Sequence, residues 1–234
     1  MDILLNPDCD WAAVGWELAA RGRAVVPKVL VEASARAVLG WLERETPWSF
    51  TYFDGKAAIV PHARLESLTP GEWQALQRRI YLRARDEFAY AYHVHTLGRP
   101  AALHRQGVPV EAFFDFLNSE PMLAAIRQAL QEDDIRAADA QATRFGPGQF
   151  LGLHNDLAPN HDRRVAYVFQ FTPDWHADWG GELVFPAADA GRGEVFLPAF
   201  NSLHLFRVPQ DHYVNVVAPF AGSYRYAISG WFVA

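Results

Sequence analysis

The stretch Gln149-Phe150-Leu151-Gly152-Leu153-His154-Asn155-Asp156 decides how this chain reads. It is rich in apolar residues, lacks helix-start signals and runs into the turn-like Leu157-Ala158-Pro159-Asn160, so a strand is expected to end near His154. Side chains two apart on a strand share a face, which predicts that His154 and Asp156 point the same way. Such a pair alone is weak evidence, because His and Asp are common in turns. Its weight comes from two later features. His212 opens the run His212-Tyr213-Val214-Asn215-Val216-Val217 directly after the turn Pro209-Gln210-Asp211, and Arg225 lies in a β-prone stretch over 224–233.

Two imidazoles and one carboxylate are the ligand set that holds a non-haem Fe(II) on one face and leaves positions open for a co-substrate and O2. Arg225 supplies a planar guanidinium able to grip a carboxylate bidentately, and 2-oxoglutarate carries a distal carboxylate besides its chelating end. An oxygenase is therefore expected. His204, in Asn201-Ser202-Leu203-His204-Leu205-Phe206, competes for the third ligand position. His212 is preferred because a strand end can present a ligand at a barrel mouth, and His204 reads as a partly exposed mid-strand residue. His161 and His176 stand in polar, turn-rich stretches and are expected to be solvated. The same ligands could bind Zn(II) in a hydrolase. That reading leaves Arg225 without a task and lacks a Glu base beside the ligands.

From about 141 to 232 the chain resembles the catalytic part of prolyl-hydroxylase-like 2-oxoglutarate- and Fe(II)-dependent oxygenases. The blocks that carry the resemblance run in order: Gly148-Gln149-Phe150, His154-Asn155-Asp156, 163–175, Gly180-Gly181-Glu182-Leu183, Pro198-Ala199-Phe200-Asn201, His212-Tyr213-Val214 and 225–232. The resemblance implies that His154, Asp156 and His212 ligate Fe(II) and that Arg225 pairs with the distal carboxylate of 2-oxoglutarate. O2 is the second co-substrate, and ascorbate is a candidate accessory. Where relatives carry a tyrosine that also binds that carboxylate, this chain has Phe145; Gln170 is the candidate for a compensating amide. Trp231 and Leu183 fall at pocket-wall positions, with ordinary core packing the competing reading. The implied fold is mainly β with N-terminal helices: a double-stranded β-helix, jelly roll or cupin-like, with supporting α-helices.

The resemblance also implies hydroxylation of an unactivated C–H bond, in first place on a prolyl residue of a peptide or protein, with 2-oxoglutarate converted to succinate and CO2. The alternatives are the same chemistry on a free amino acid or small natural product, or a non-catalytic metal-binding β-barrel. Tyr52, Tyr90, Tyr92 and Trp179 could line a groove for an extended substrate, although each reads first as a packing residue.

Composition agrees. The 234 residues are 50% hydrophobic and 14% aromatic, enough for a sizeable core, and a formal charge of −6 argues against a nucleic-acid footprint. Cys9 is the single cysteine, which fits a reducing compartment; with no secretory or membrane-spanning pattern, a cytoplasmic location and no membrane partner are expected. One oxygenase domain over 1–234 is expected, its first part (1–140) mainly helical support and its second (141–234) the catalytic β-helix. Helices are predicted over 32–45, from a capping box at Thr69-Pro70-Gly71-Glu72 towards Glu87, over 110–118 and over 120–132. Strands are predicted over 48–53, 88–93, 164–172, 182–186, 194–197, 202–208, 213–217 and 224–233.

Overall fold

The computed structural model describes residues 2–98, 106–158, 162–187 and 191–234. Asp10 starts the first helix, α1 (Trp11–Arg21), by accepting a hydrogen bond from the Ala13 amide, and Gly22 ends it at φ 71° in the left-handed region that glycine tolerates. β1 (Arg23–Pro27) and α2 (Glu32–Arg44) follow, then the hairpin β2 (Ser49–Phe53) and β3 (Ala57–Val60) and the single turn α3 (His62–Leu65). α4 (Pro70–Ala84) opens as its sequence foretold: Thr69 and Glu72 form a reciprocal capping box, with Pro70 in the first turn. β4 (Tyr90–Gly98), α5 (Ala112–Leu117), α6 (Glu120–Leu130) and the short β5 (Ala137–Ala138) complete the first part. The second part is all strand: β6 (Ala140–Phe145), β7 (Phe150–His154), β8 (Arg163–Gln170), β9 (Leu183–Pro186), β10 (Gly193–Phe196), β11 (Ser202–Arg207), β12 (His212–Val214) and β13 (Arg225–Val233).

The strands pair in the order β1-β11-β8-β13-β6-β4-β7-β12-β9-β10, all neighbours antiparallel, and the sheet curls into a half-barrel of the expected jelly-roll kind. Residues 1–140 contribute more than helical cover, since β1, β2 and β4 join this sheet. Among the described residues no helix is long and apolar enough to cross a membrane.

Two-residue alternation sorts the sheet into two faces. On β8, Val165, Tyr167 and Phe169 turn outward with Leu203 and Leu205 of β11 and Ile228 and Phe232 of β13. The helices close over them with Leu18, Val38, Phe113 and Ile126 in the same buried cluster. The opposite face, with Ala166 and Phe206, encloses a cavity of about 650 Å³. Period-2 patterning thus separates a core that holds the fold together from an interior free to carry chemistry.

Candidate metal and co-substrate site

His154 ends β7, His212 begins β12, and the two residues are directly paired across the ladder. Their rings lie 4.2 Å apart. Asp156 comes past the end of β7 in the left-handed region, at φ 63°, a conformation that Asp tolerates better than most residues. This corrects the expectation that the two ligands share a strand face. The backbone reverses after His154 and brings the carboxylate back between the rings, Oδ1 at 3.3 Å from His154 Nε2 and Oδ2 at 3.5 Å from His212 Nε2. The three ligand atoms fall within 4.8 Å of one another.

The remaining ring nitrogens fix the tautomers. His154 Nδ1 is 2.9 Å from the carbonyl oxygen of Gly152, and His212 Nδ1 is 2.8 Å from that of Gln210. A carbonyl only accepts, so each Nδ1 carries the proton and each Nε2 lone pair is left facing Asp156. Burial pulls the His154 imidazole down, but the hydrogen bond and charge of Asp156 outweigh it and hold the group above its ordinary value. Burial and the neighbouring His154 lower His212. Asp156 resists the upward pull of burial because both imidazoles favour its charge, so its carboxyl stays below the ordinary value. Arg163 donates to the Asp156 carbonyl at 2.9 Å and lies 3.5 Å over the Trp231 ring, bracing the reversed loop.

Arg225 lies in the wall of the same cavity, 2% exposed, its guanidinium 5.1 Å over the Phe145 ring. Its Nε and Nη2 have no hydrogen-bond partner. Burial lowers its pKa to about 10, against the pull of Glu182, so it remains a cation at neutral pH. Gly181 permits this position. At φ 70° it favours glycine, and a Cβ there would meet Arg225 Cδ at 3.3 Å and Trp175 at 3.4 Å. A buried cation with two N–H-bearing nitrogens left without hydrogen bonds, lining the same cavity as a converging metal-ligand set, fits a chelating dianion with a second carboxylate to offer.

The other predicted residues separate. Leu183 and Trp231 line the cavity, as do Tyr90 and Tyr92; Tyr52 and Trp179 are not among its lining residues. Gln170 is fully buried with both amide atoms unpartnered, on β8 beyond the cavity-lining Val168. His204 departs from its sequence reading: it is 4% exposed, because β1 and β8 cover β11 on both sides. His176 stacks on Trp179 at 4.3 Å, whereas His161, Pro159 and Asn160 lie outside the described residues. Tyr92, stacked on Phe145 at 4.8 Å, is the site residue that sequence undervalued; an aromatic in a strand carries no signal that its face borders a cavity.

Residues 140–233 match the model of the 2OG-Fe(II) oxygenase superfamily, so this part of the chain is similar to that superfamily. The match implies Fe(II) with 2-oxoglutarate and O2 as co-substrates, and His154, Asp156 and His212 form a group that could hold the metal. A Pseudomonas putida prolyl-4-hydroxylase structure matches with TM-score 0.63 at 19% identity, covering 96% of this chain and 98% of that one. An oxidoreductase of the 2OG-Fe(II) oxygenase family from Burkholderia pseudomallei matches with TM-score 0.64 at 16% identity, over 100% and 96% of the two chains. A Trichoplax adhaerens prolyl hydroxylase, in complex with a hypoxia inducible factor oxygen degradation domain peptide fragment, matches with TM-score 0.63 at 19% identity, over 95% and 88%. No curated protein matches the chain in sequence.

Proposed function

We propose that the protein is a prolyl 4-hydroxylase-like dioxygenase that hydroxylates a prolyl residue of a peptide or protein and converts 2-oxoglutarate to succinate and CO2. The observation that carries the reading is the buried Arg225, its Nε and Nη2 without a hydrogen-bond partner, in the wall of the cavity that His154, Asp156 and His212 also line. His154, Asp156 and His212 hold the iron, and Arg225 grips the distal carboxylate of 2-oxoglutarate. The Gln170 amide is assigned to the same polar end. Bound Fe(II) supplies the oxidation of a C–H bond coupled to loss of CO2 from the 2-oxo acid. The chain's own part is to orient and to exclude water. Leu183, Val168 and Trp231 give the cavity apolar walls, and Tyr90 and Leu153 stand where an extended substrate could lie.

Support for a prolyl substrate comes from similarity alone: two of the matched structures are prolyl hydroxylases, one of them holding a peptide. The test is succinate formation by Fe(II)-loaded protein after O2 is admitted, with proline-containing peptides, free amino acids or no substrate. Stimulation by peptides that disappears when proline is replaced supports the reading. Stimulation by a free amino acid moves the protein to the small-molecule alternative, and no turnover with any of them favours the metal-binding barrel.

A further inference from the structure

One imidazole inside the half-barrel is used by neither the metal site nor the outer core. His204 sits in the middle of β11, opposite Val168 of β8, and Val168 and Arg225 both line the cavity. In the same ladders Ser202 faces Gln170, and Gln170 faces Ala227, two residues along β13 from Arg225. Directly paired residues of antiparallel strands put their side chains on one face. His204, Gln170 and Arg225 therefore occupy the inner face of three adjacent strands. Each carries polar atoms without a partner: Nδ1 of His204, both amide atoms of Gln170, and Nε and Nη2 of Arg225. Buried polar groups are nearly always satisfied, and three neighbouring exceptions on one face point to a partner that is not part of the chain.

The surroundings of His204 say what kind of partner. From β1 it meets Val25 and from β8 Val168, both apolar, while the Phe196 ring of β10 packs edge-on at 5.2 Å. The Ser202 hydroxyl, which donates to the Ala199 carbonyl at 2.8 Å, lies 3.5 Å from Nε2. Among the described residues, the charge acting on the imidazole is that of Arg225; Glu182 acts on Arg225 in turn. Burial and the Arg225 cation hold His204 at about 4, so it is neutral at physiological pH. An anion seated on Arg225 cancels that repulsion and offers an acceptor for an imidazole proton.

We propose that His204 is a co-substrate-binding residue, its imidazole donating to the distal carboxylate that Arg225 grips and supplying a contact that the Phe145 ring lacks a hydroxyl to make. The inference rests on the proposed role of Arg225. Its distinguishing consequence is a proton linkage: carboxylate binding makes protonation of His204 easier, so 2-oxoglutarate binds more tightly as pH falls from 8 to 6, with proton uptake.

The test is calorimetric titration of 2-oxoglutarate into Zn(II)-loaded protein at pH 6 and pH 8, in buffers of different ionisation enthalpy; the metal occupies His154 and His212, so their titration does not intrude. For wild type, H204L and H204N, the expected result is that H204L weakens binding by about 10- to 100-fold, as loss of a hydrogen bond to a charged group does. H204N, which keeps a donor, recovers most of the affinity, and both variants lose the pH slope and the proton uptake. Wild-type affinity at both pH values in folded H204L overturns the assignment, as does a wild type that takes up no proton while H204N binds normally. A wild type that binds no 2-oxoglutarate at all removes the proposed function itself, and this assignment with it.

Discussion

Replacing Arg225 with Met keeps an unbranched stem over Phe145 and removes the charge, and the structure predicts a gain in stability for the empty protein together with a loss of ligand binding. In the empty protein the guanidinium is buried with Nε and Nη2 unpartnered, and its pKa has fallen to about 10. For a cation whose pKa is lowered by folding, the penalty is fully present below the folded value, hence throughout the physiological range. At 1.36 kcal/mol per tenfold, that penalty is about 3 kcal/mol. Arg225→Met removes it, so the empty variant should melt above wild type, by about 6–12 °C for a chain of this length. With 2-oxoglutarate the gap should close. Truncating one side of a desolvated charge pair costs about 2–5 kcal/mol, or roughly 30-fold to several-thousand-fold in Kd. At one hundred times its wild-type Kd, the ligand should stabilise wild type by about 2.7 kcal/mol, and at the same concentration should stabilise the variant by no more than about 0.9 kcal/mol. Thermal denaturation of Zn(II)-loaded protein with and without 2-oxoglutarate reads both effects. A variant that melts lower when empty, yet gains as much from the ligand as wild type, would falsify the account of Arg225 as an anion partner held in reserve.

Asp156→Ala should abolish tight binding of Zn(II) to the metal-free protein, whereas His204→Leu should leave it within about threefold; loss in the second and not the first would mean that the wrong imidazole was assigned to the metal. Stability should fall with acid. His204 is held at about 4 in the fold against an ordinary 6.5, so as pH drops below 6.5 the unfolded chain takes up the proton first and stability is lost until about pH 4. Between pH 7 and pH 5 this group accounts for about 2 kcal/mol, read as the part of the loss in urea unfolding that disappears in His204→Leu. Thr69→Ala should cost about 1 kcal/mol in the same assay at pH 7, since it breaks both halves of the α4 capping box; an unchanged midpoint would show that the end of α4 is held by packing alone.

Much of this architecture was legible because strands in the second part are short, apolar and punctuated by turns: the runs that become β8, β9, β11 and β13 lie within a few residues of where the sequence put them. The placement of His212 and Arg225 at strand starts was legible for the same reason, as polar residues at the edge of apolar runs. What escaped is equally physical. α1 buries just Val14 and Leu18, too narrow a stripe to announce a helix, although Asp10 and Gly22 mark its ends. His204 was misread because polar residues in a strand normally mark the wet face; here Ser202, Gln170 and His204 mark a dry interior. The carboxylate of Asp156 reaches the imidazoles through a positive φ, which strand periodicity cannot express.

The two faces of β8, β11 and β13 explain how the fold tolerates such an interior. On the inner face Gln170, His204 and Arg225 hold polar atoms away from water without partners, each a local loss. On the outer face of the same three strands, Phe169, Leu205 and Ile228 are at most 1% exposed and pack beneath the helices. Each buried apolar side chain of this size contributes about 1.5–3 kcal/mol, so one layer of outward residues is enough to offset the inner ones. The helices that were expected as support are therefore part of what makes the polar interior possible, because without them the outward residues would be exposed. Phe113, fully buried and in edge contact with Phe169 at 5.1 Å, is a point where this coupling can be seen. Its removal leaves the cavity wall untouched in sequence, but withdraws packing from the strand that carries Gln170.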